Sequence, residues 1–380
     1  MGAVIGLDAR MVGVVPSGLG TYAANLARHL PARDAHNTYV IIRRPGSPGP
    51  LATGPNVREV FVQGDLDQPP NLFRGGTLAR LGLDLYHSLY DFLPLRLPAE
   101  RIVLTLHDLI WLEEPRLIHE RRFGPITRTA THLFARATMP YAIRHAHHVI
   151  AISAHTRNRA MAYFGLAPDR ITVVPHGVDR EHFAPGAAPS VAARPFFLCV
   201  GAGQPQKNLG VAVLAFARCA ERRRDVDLVI VGRGDANKAL QRLARRLAIE
   251  ERVRFRVAVP QAELIGLLHT ATALVFPSLV EGFGLPVLEA MSAGCPVICS
   301  AIPTLEEVTG GAAVLCDRIA PDEFAGAMHR LLEDDAFRQA LRLAGQARAE
   351  VFAWPTCADA TRQIHRTVLG RRPAICAQAG

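Results

Sequence analysis

Glu281-Gly282-Phe283-Gly284-Leu285-Pro286-Val287-Leu288-Glu289 is the stretch on which the reading of this chain turns. It follows the apolar run Ala273-Leu274-Val275-Phe276 and the turn Pro277-Ser278-Leu279-Val280, which is the order of a buried strand, a loop and a helix. Pro286 suits the first turn of a helix, where its missing N–H would have no partner in any case. The glycines just before it let the backbone come close to a ligand. The amides of a helix start, with the positive end of its dipole, favour an anion such as a diphosphate. Glu281 is placed on the loop and Glu289 in the first helical turn. Both carboxylates can face one ligand, and a carboxylate accepts two hydrogen bonds from vicinal hydroxyls of a ribose or hexose. Taken by themselves, the two glutamates are equally well read as a solvated loop residue and a partner of the helix dipole.

The same strand–loop–helix rhythm runs from end to end. Apolar runs predict strands at 4–7, 39–42, 84–87, 102–106, 149–153 and 171–174, with helices over 19–30, 120–144 and 154–164. The rhythm restarts with strands at 196–200, 228–231, 253–257, 273–276 and 297–299, and helices over 209–223, 236–248, 261–269 and after Leu285. Such alternation implies parallel sheets covered by helices on both faces. The Pro-, Gly- and Ala-rich segment 182–195 has no periodicity and reads as a linker. At 380 residues the chain is expected to form two doubly wound domains, roughly 150 residues each being the usual size. Ligands of open parallel sheets bind beyond the carboxyl ends of the strands, and the motifs below all follow strands.

Hydrophobic residues make up 49% and charged residues 20%, which suits a folded protein and excludes a disordered one. No run reaches the roughly 18 uncharged apolar residues of a membrane span. The N-terminus opens straight into a strand without the pattern of a secretion signal, so the cytosol is the expected compartment. The seven cysteines form no Cys-x-x-Cys pair and read as small buried hydrophobes. Of 43 cationic residues only Lys207 and Lys238 are lysines. With aromatics at 6% and arginines spread throughout, the pattern of a nucleic-acid binder is missing. The stretch 117–144, rich in Arg and His, has two readings: a face against a membrane, or an ordinary surface helix.

Val200-Gly-Ala-Gly-Gln-Pro-Gln-Lys207-Asn208 follows the first strand of the second half. Asn208 is placed as the cap of the next helix, and Lys207 as a compact charge for a ligand's phosphates. In the first half, Ser17-Gly18-Leu19-Gly20-Thr21-Tyr22 precedes a helix, Leu104-Thr105-Leu106-His107-Asp108 ends a strand, and Val173-Val174-Pro175-His176-Gly177-Val178-Asp179 follows. Gly18, Gly20 and Ala23 match a dinucleotide fingerprint, but some nine residues separate Gly18 from the strand end at Asp8, whereas that fingerprint follows its strand directly.

Glu-x7-Glu around Gly-Phe-Gly-Leu-Pro, followed by Ala290-Met-Ser-Ala-Gly-Cys-Pro-Val297, closely resembles the signature of family 4 retaining glycosyltransferases. The resemblance extends over most of the chain. It implies the α/β GT-B fold: two doubly wound, Rossmann-like domains facing a central cleft. These are expected at 1–183 on the acceptor side and 195–355 for the nucleotide sugar, with a helix over about 356–372 returning to the first. It implies that His107, Glu281 and Lys207 are the catalytic set, with His107 near the anomeric carbon. Gly18, Gly20, Asn208, Phe283, Gly284, Leu285 and Glu289 would bind the donor, and Asp108 would orient the imidazole or an acceptor hydroxyl. The pattern departs from the family at Ala202 and Gln206, where arginines are usual, and at His176, where asparagine is usual. His87-Ser-Leu-Tyr-Asp91 and the 173–179 element lean toward bacterial mannosyltransferases of surface polysaccharide.

A nucleoside diphosphate leaves well without protonation, so a glycosidase-like acid and base pair is rejected in favour of charge stabilisation at the departing phosphate. Glu281 would hold hexose hydroxyls and Glu289 the ribose. No Asp-x-Asp pair or His/Cys cluster with ligand spacing is read among the motifs, so neither a metal nor another cofactor is expected. The expected partners are a nucleotide-sugar donor, GDP-mannose first, and a glycan or lipid-linked saccharide acceptor, with peripheral membrane contact and no nucleic acid. A nucleotide-sugar epimerase, an NAD-dependent dehydrogenase and a catalytically silent nucleotide-sugar-binding protein remain as alternatives.

Overall fold

The computed structural model describes residues 2–13, 17–64, 73, 75–97, 99–117, 125–183, 194–232, 237–257 and 259–370. The proposed linker therefore lies mostly outside the described residues, as do part of the Arg/His-rich stretch and Cys376. The chain divides into two compact units: Met1–Leu112 with Gly124–Gly177 and Trp354–Gly380, and Glu113–Phe123 with Val178–Ala353.

The first unit is built on a seven-stranded sheet. Its strands are β1 (Val4–Asp8), β2 (Thr38–Arg43), β3 (Val57–Phe61), β4 (Leu85–Ser88), β5 (Arg101–Leu106), β6 (His148–Ala151) and β7 (Ile171–Val173). They lie in the order β3-β2-β1-β4-β5-β6-β7, with every pairing parallel. The helix Gly18–Ala32 buries Tyr22, Ala23, Leu26, Ala27 and Leu30, the spacing of one helical face. Trp354–Gly370 packs against that helix and against β5 and β6.

The second unit carries β8 (Phe196–Ala202), β9 (Asp227–Gly232), β10 (Val253–Val257), β11 (Ala273–Phe276), β12 (Val297–Ser300) and β13 (Val314–Cys316). Their order is β10-β9-β8-β11-β12-β13, again all parallel. The helix Leu209–Arg222 buries Ala212, Val213, Phe216, Cys219 and Ala220 against Phe197, Leu228 and Phe324 of the core. Val178 donates its N–H to Phe352 O at 3.1 Å and bridges to Ala353, which ties 178–183 to this unit.

Sequence reading places no strand at β3 or β13. Both are sheet edges: β3 is Val-Arg-Glu-Val-Phe with every residue at least partly exposed, and β13 has three residues. An edge strand lacks the continuous apolar run that two buried faces impose. The six described cysteines are buried free thiols, and burial pushes that of Cys295 up to about 12. Among the described residues no helix is long and apolar enough to cross a membrane.

Candidate active site

In the second sheet the strand order reverses between β8 and β11, and crevices at such switch points are where ligands settle on doubly wound sheets. The loops that follow these two strands carry Lys207 and Glu281. Leu279 N–H donates to Gln206 O at 2.8 Å and laces the loops together. Gly201 has φ +99°, and a Cβ there would stand 3.2 Å from Lys207 Cγ, so glycine lets the lysine stem lie across the turn. Lys207 Nζ reaches Glu281 Oε1 at 2.7 Å with both side chains 11% exposed. The ammonium also sits 4.5 Å from the centre of the Phe276 ring.

Sequence reading assigns these two residues separate tasks, one toward phosphate and one toward sugar; the fold pairs them with each other. Thr304 Oγ1 donates to Glu281 O at 2.9 Å and steadies the loop, a contact with no local sequence signal.

Gly284 takes φ +100° as the residue before the helix Leu285–Ser292, with Pro286 in its first turn. A Cβ on Gly284 would lie 2.7 Å from Leu305 Cδ2. Phe283 is buried and meets Phe352 edge-on at 5.8 Å. Glu289 is the fifth residue of this helix, so its placement in the first turn is corrected: the left-handed cap at Gly284 sets the start at Leu285. The carboxyl is partly buried, and desolvation pushes it up to about 7 against the pull of Lys207. Asn208 does not cap its helix through its side chain. It takes φ +51°, and its Nδ2 donates to Arg318 O at 2.8 Å instead.

In the first unit His107 stands just beyond β5 and is 4% exposed. Its backbone N–H donates to Asp91 Oδ1 at 2.6 Å, and Nε2 meets Leu89 O at 3.0 Å. A carbonyl only accepts, so the proton sits on Nε2 and Nδ1 keeps its lone pair. Burial lowers His107 to about 4, which keeps the ring neutral near pH 7. Leu89 O orients the imidazole, and Asp108 Oδ1 accepts from Ile110 N–H at 3.0 Å. Burial and the charge of Asp108 hold Asp91 well above the carboxylate range.

Tyr22 meets His107 edge-on at 5.1 Å and stacks on His176 at 4.8 Å. Its hydroxyl begins a buried chain: Thr105 Oγ1 at 2.9 Å, then His87 Nε2 at 2.9 Å, then His87 Nδ1 to His365 Nε2 at 3.0 Å. In the sequence Tyr22 and Thr105 stand only as parts of longer runs, and neither they nor His365 are singled out as partners in this chain, because nothing in their spacing links them. Gly18 opens the helix Gly18–Ala32, but Gly20 N–H is already donated to the cap Ser17 Oγ at 3.1 Å. The donor expected of Gly20 is therefore engaged within the cap.

Among the described residues no three His, Cys, Asp or Glu side chains gather as a metal site. The expectation of no Asp-x-Asp pair is corrected by Asp225-Val226-Asp227, which lies at the amino end of β9, away from the switch-point loops; a second, Asp65-Leu66-Asp67, lies outside the described residues. Arg223 bonds Asp225 and Arg254 bonds Asp227.

Comparison with known proteins gives two family matches: Glycosyltransferase Family 4 over residues 16–182 and Glycosyl transferases group 1 over residues 185–348. The chain is 29% identical to an O-antigen chain mannosyltransferase B of Escherichia coli, over 74% of each protein. It is 33% identical to a D-inositol 3-phosphate glycosyltransferase of Frankia alni, over 58% of this chain and 59% of that one. Anabaena Alr3699/HepE, solved in complex with UDP and glucose, has a TM-score of 0.72 at 18% identity, covering 96% of this chain and all of that one. At that identity the likeness speaks for the fold, which is GT-B.

Proposed function

The chain belongs to glycosyltransferase family 4, and from that premise we propose that it is a retaining hexosyltransferase that moves mannose from GDP-mannose to a glycan or lipid-linked saccharide. The observation that carries the reading is the Lys207–Glu281 pair at the switch point, beside the N-terminus of the helix Leu285–Ser292. A cation and a helix start suit a diphosphate, and two carboxylates suit the hydroxyls of a hexose and a ribose.

In this reading Lys207 and the amides after Gly284 stabilise the charge that develops on the leaving phosphate. Glu281 and Glu289 hold hydroxyls. His107 offers its Nδ1 lone pair as an acceptor near the anomeric carbon, and its lowered pKa keeps that lone pair free of a proton. The acceptor hydroxyl passes its proton to the departing phosphate oxygen, so no side chain serves as base and no metal is invoked. The mannosyltransferase of Escherichia coli supports mannose as the sugar and polysaccharide synthesis as the setting.

A thermal-shift screen with GDP, UDP and dTDP sugars, followed by transfer assays with the one that binds, tests the proposal. Stabilisation by GDP-mannose and mannosyl transfer with retained configuration are the expected results. Isomerised nucleotide sugar without transfer would favour the epimerase, and binding without turnover the silent protein.

A further inference from the structure

The loop after β13 carries Arg318, which touches both loops of the switch point. Asn208, next to Lys207, donates from Nδ2 to Arg318 O at 2.8 Å. The Arg318 guanidinium donates from Nη1 to Leu279 O at 2.9 Å, two residues before Glu281. With Leu279 N–H on Gln206 O, three loops after β8, β11 and β13 are laced at one end of the sheet. Arg318 is exposed, and its bond to Leu279 engages one of the five N–H donors of a guanidinium.

The charge balance of those loops gives this arrangement its meaning. The ammonium of Lys207 is neutralised by Glu281, and the neighbouring Gln206 is uncharged. A diphosphate arriving at this pair meets little net positive charge. Arg318 is a cation fixed by its own backbone and side chain to both loops. A guanidinium fork matches phosphate oxygens better than an ammonium does. We infer that Arg318 is a further phosphate-binding residue of the donor site, supplying the positive charge that the Lys207–Glu281 pair withholds. The inference rests on the proposed function, since it takes the ligand to be a nucleoside diphosphate.

Arg318→Gln removes the charge but keeps an N–H able to bond Leu279 O, and Arg318→Lys keeps the charge without the fork. The dissociation constants of GDP, GMP and guanosine, and of the uridine and thymidine series, are measured by calorimetry for each protein at two salt concentrations. For whichever diphosphate the unaltered chain binds, Arg318→Gln is expected to weaken it about tenfold, roughly 1.4 kcal/mol. The monophosphate should weaken less, the nucleoside not at all, and Arg318→Lys should recover part of the loss. The salt dependence of diphosphate binding should be shallower in Arg318→Gln. Equal weakening of diphosphate and nucleoside would show that Arg318 is only a clasp between loops, and unchanged diphosphate affinity would likewise overturn the inference. Failure of the unaltered chain to bind GDP, UDP or dTDP would instead remove the proposed function beneath it.

Discussion

Glu281→Gln perturbs the pair on which the donor reading rests while barely changing its shape. Lys207 Nζ and Glu281 Oε1 are 2.7 Å apart, which at an effective dielectric constant of ~20 corresponds to about 6 kcal/mol of attraction. Both side chains are 11% exposed, so desolvation consumes most of that attraction. Removing one partner of a buried pair usually costs about 3–5 kcal/mol, because the other charge is stranded. Two features lower the figure here. Glutamine still offers a carbonyl to the ammonium, and the Phe276 ring lies 4.5 Å from it, a contact worth about 0.5–2 kcal/mol. The expected loss is about 2 kcal/mol, or roughly 4–8 °C in the melting temperature of a unit of this size.

The assay is a double-mutant cycle read by thermal melts, with Lys207→Met as the second change. The double variant should be less destabilised than the sum of the singles by about 1–2 kcal/mol. Transfer activity should be lost in Glu281→Gln at a temperature where the variant is folded. Singles that add to within about 0.5 kcal/mol would refute the coupling, and unchanged turnover would remove Glu281 from the site.

Three further outcomes follow from burial and backbone geometry. Glu289 in the folded chain holds its proton up to about 7, whereas the unfolded chain releases it in the ordinary carboxylate range; its contribution to stability therefore falls as pH rises through that window. Melts of the unaltered chain against Glu289→Gln from pH 5 to 8 should show the variant gaining with pH, and a constant difference would contradict the desolvated position. Burial lowers His365 to about 4, so the unfolded chain binds the extra proton between about 6.5 and 4, and stability is lost as pH falls through that range. His365→Gln should flatten the acid limb of a melting-temperature profile without abolishing it, since His87, His107 and His176 are lowered as well; an unchanged slope would argue against the buried chain. Gly284→Ala places a Cβ 2.7 Å from Leu305 Cδ2 at φ +100° and should destabilise by about 1–3 kcal/mol, with donor affinity falling alongside; an unchanged melting temperature would show that the loop relaxes.

Strands buried on both faces, such as β1 and β12, are legible because such burial writes an unbroken apolar run; the edge strands β7 and β10 keep enough apolar residues to be found as well. Edge strands β3 and β13 carry no such record. Lys207 was legible for a compositional reason, lysine being almost absent from the chain, and Glu281 for its place between a strand and a Gly-Pro helix start. Their mutual bond was not legible, since it joins residues 74 apart and exists only because β8 and β11 become neighbours at the reversal of strand order. Backbone conformation explains the smaller misses. The left-handed turns at Asn208 and Gly284 redirect one side chain to Arg318 and set the helix start that leaves Glu289 a turn further in. His365 lies far along the chain from His87, and no local pattern announces a partner at that distance.

The two units treat charge in opposite ways. Around His107 the fold removes charge: the imidazoles of His87, His107 and His176 are all lowered by desolvation, so their nitrogens offer hydrogen bonds without a positive charge. Around Lys207 the charge is retained but locked in a pair. Under the proposed function that lock makes phosphate and sugar recognition interdependent. Glu281 turns toward hexose hydroxyls only by loosening Lys207, and Lys207 is then free to answer the diphosphate. A nucleoside diphosphate without its hexose supplies no hydroxyls to take the carboxylate, so it must compete with Glu281 for the ammonium. Full engagement of Lys207 is therefore reserved for the complete donor, and this gives Arg318, an exposed cation held to the same loops, its place as the cation that meets phosphate first.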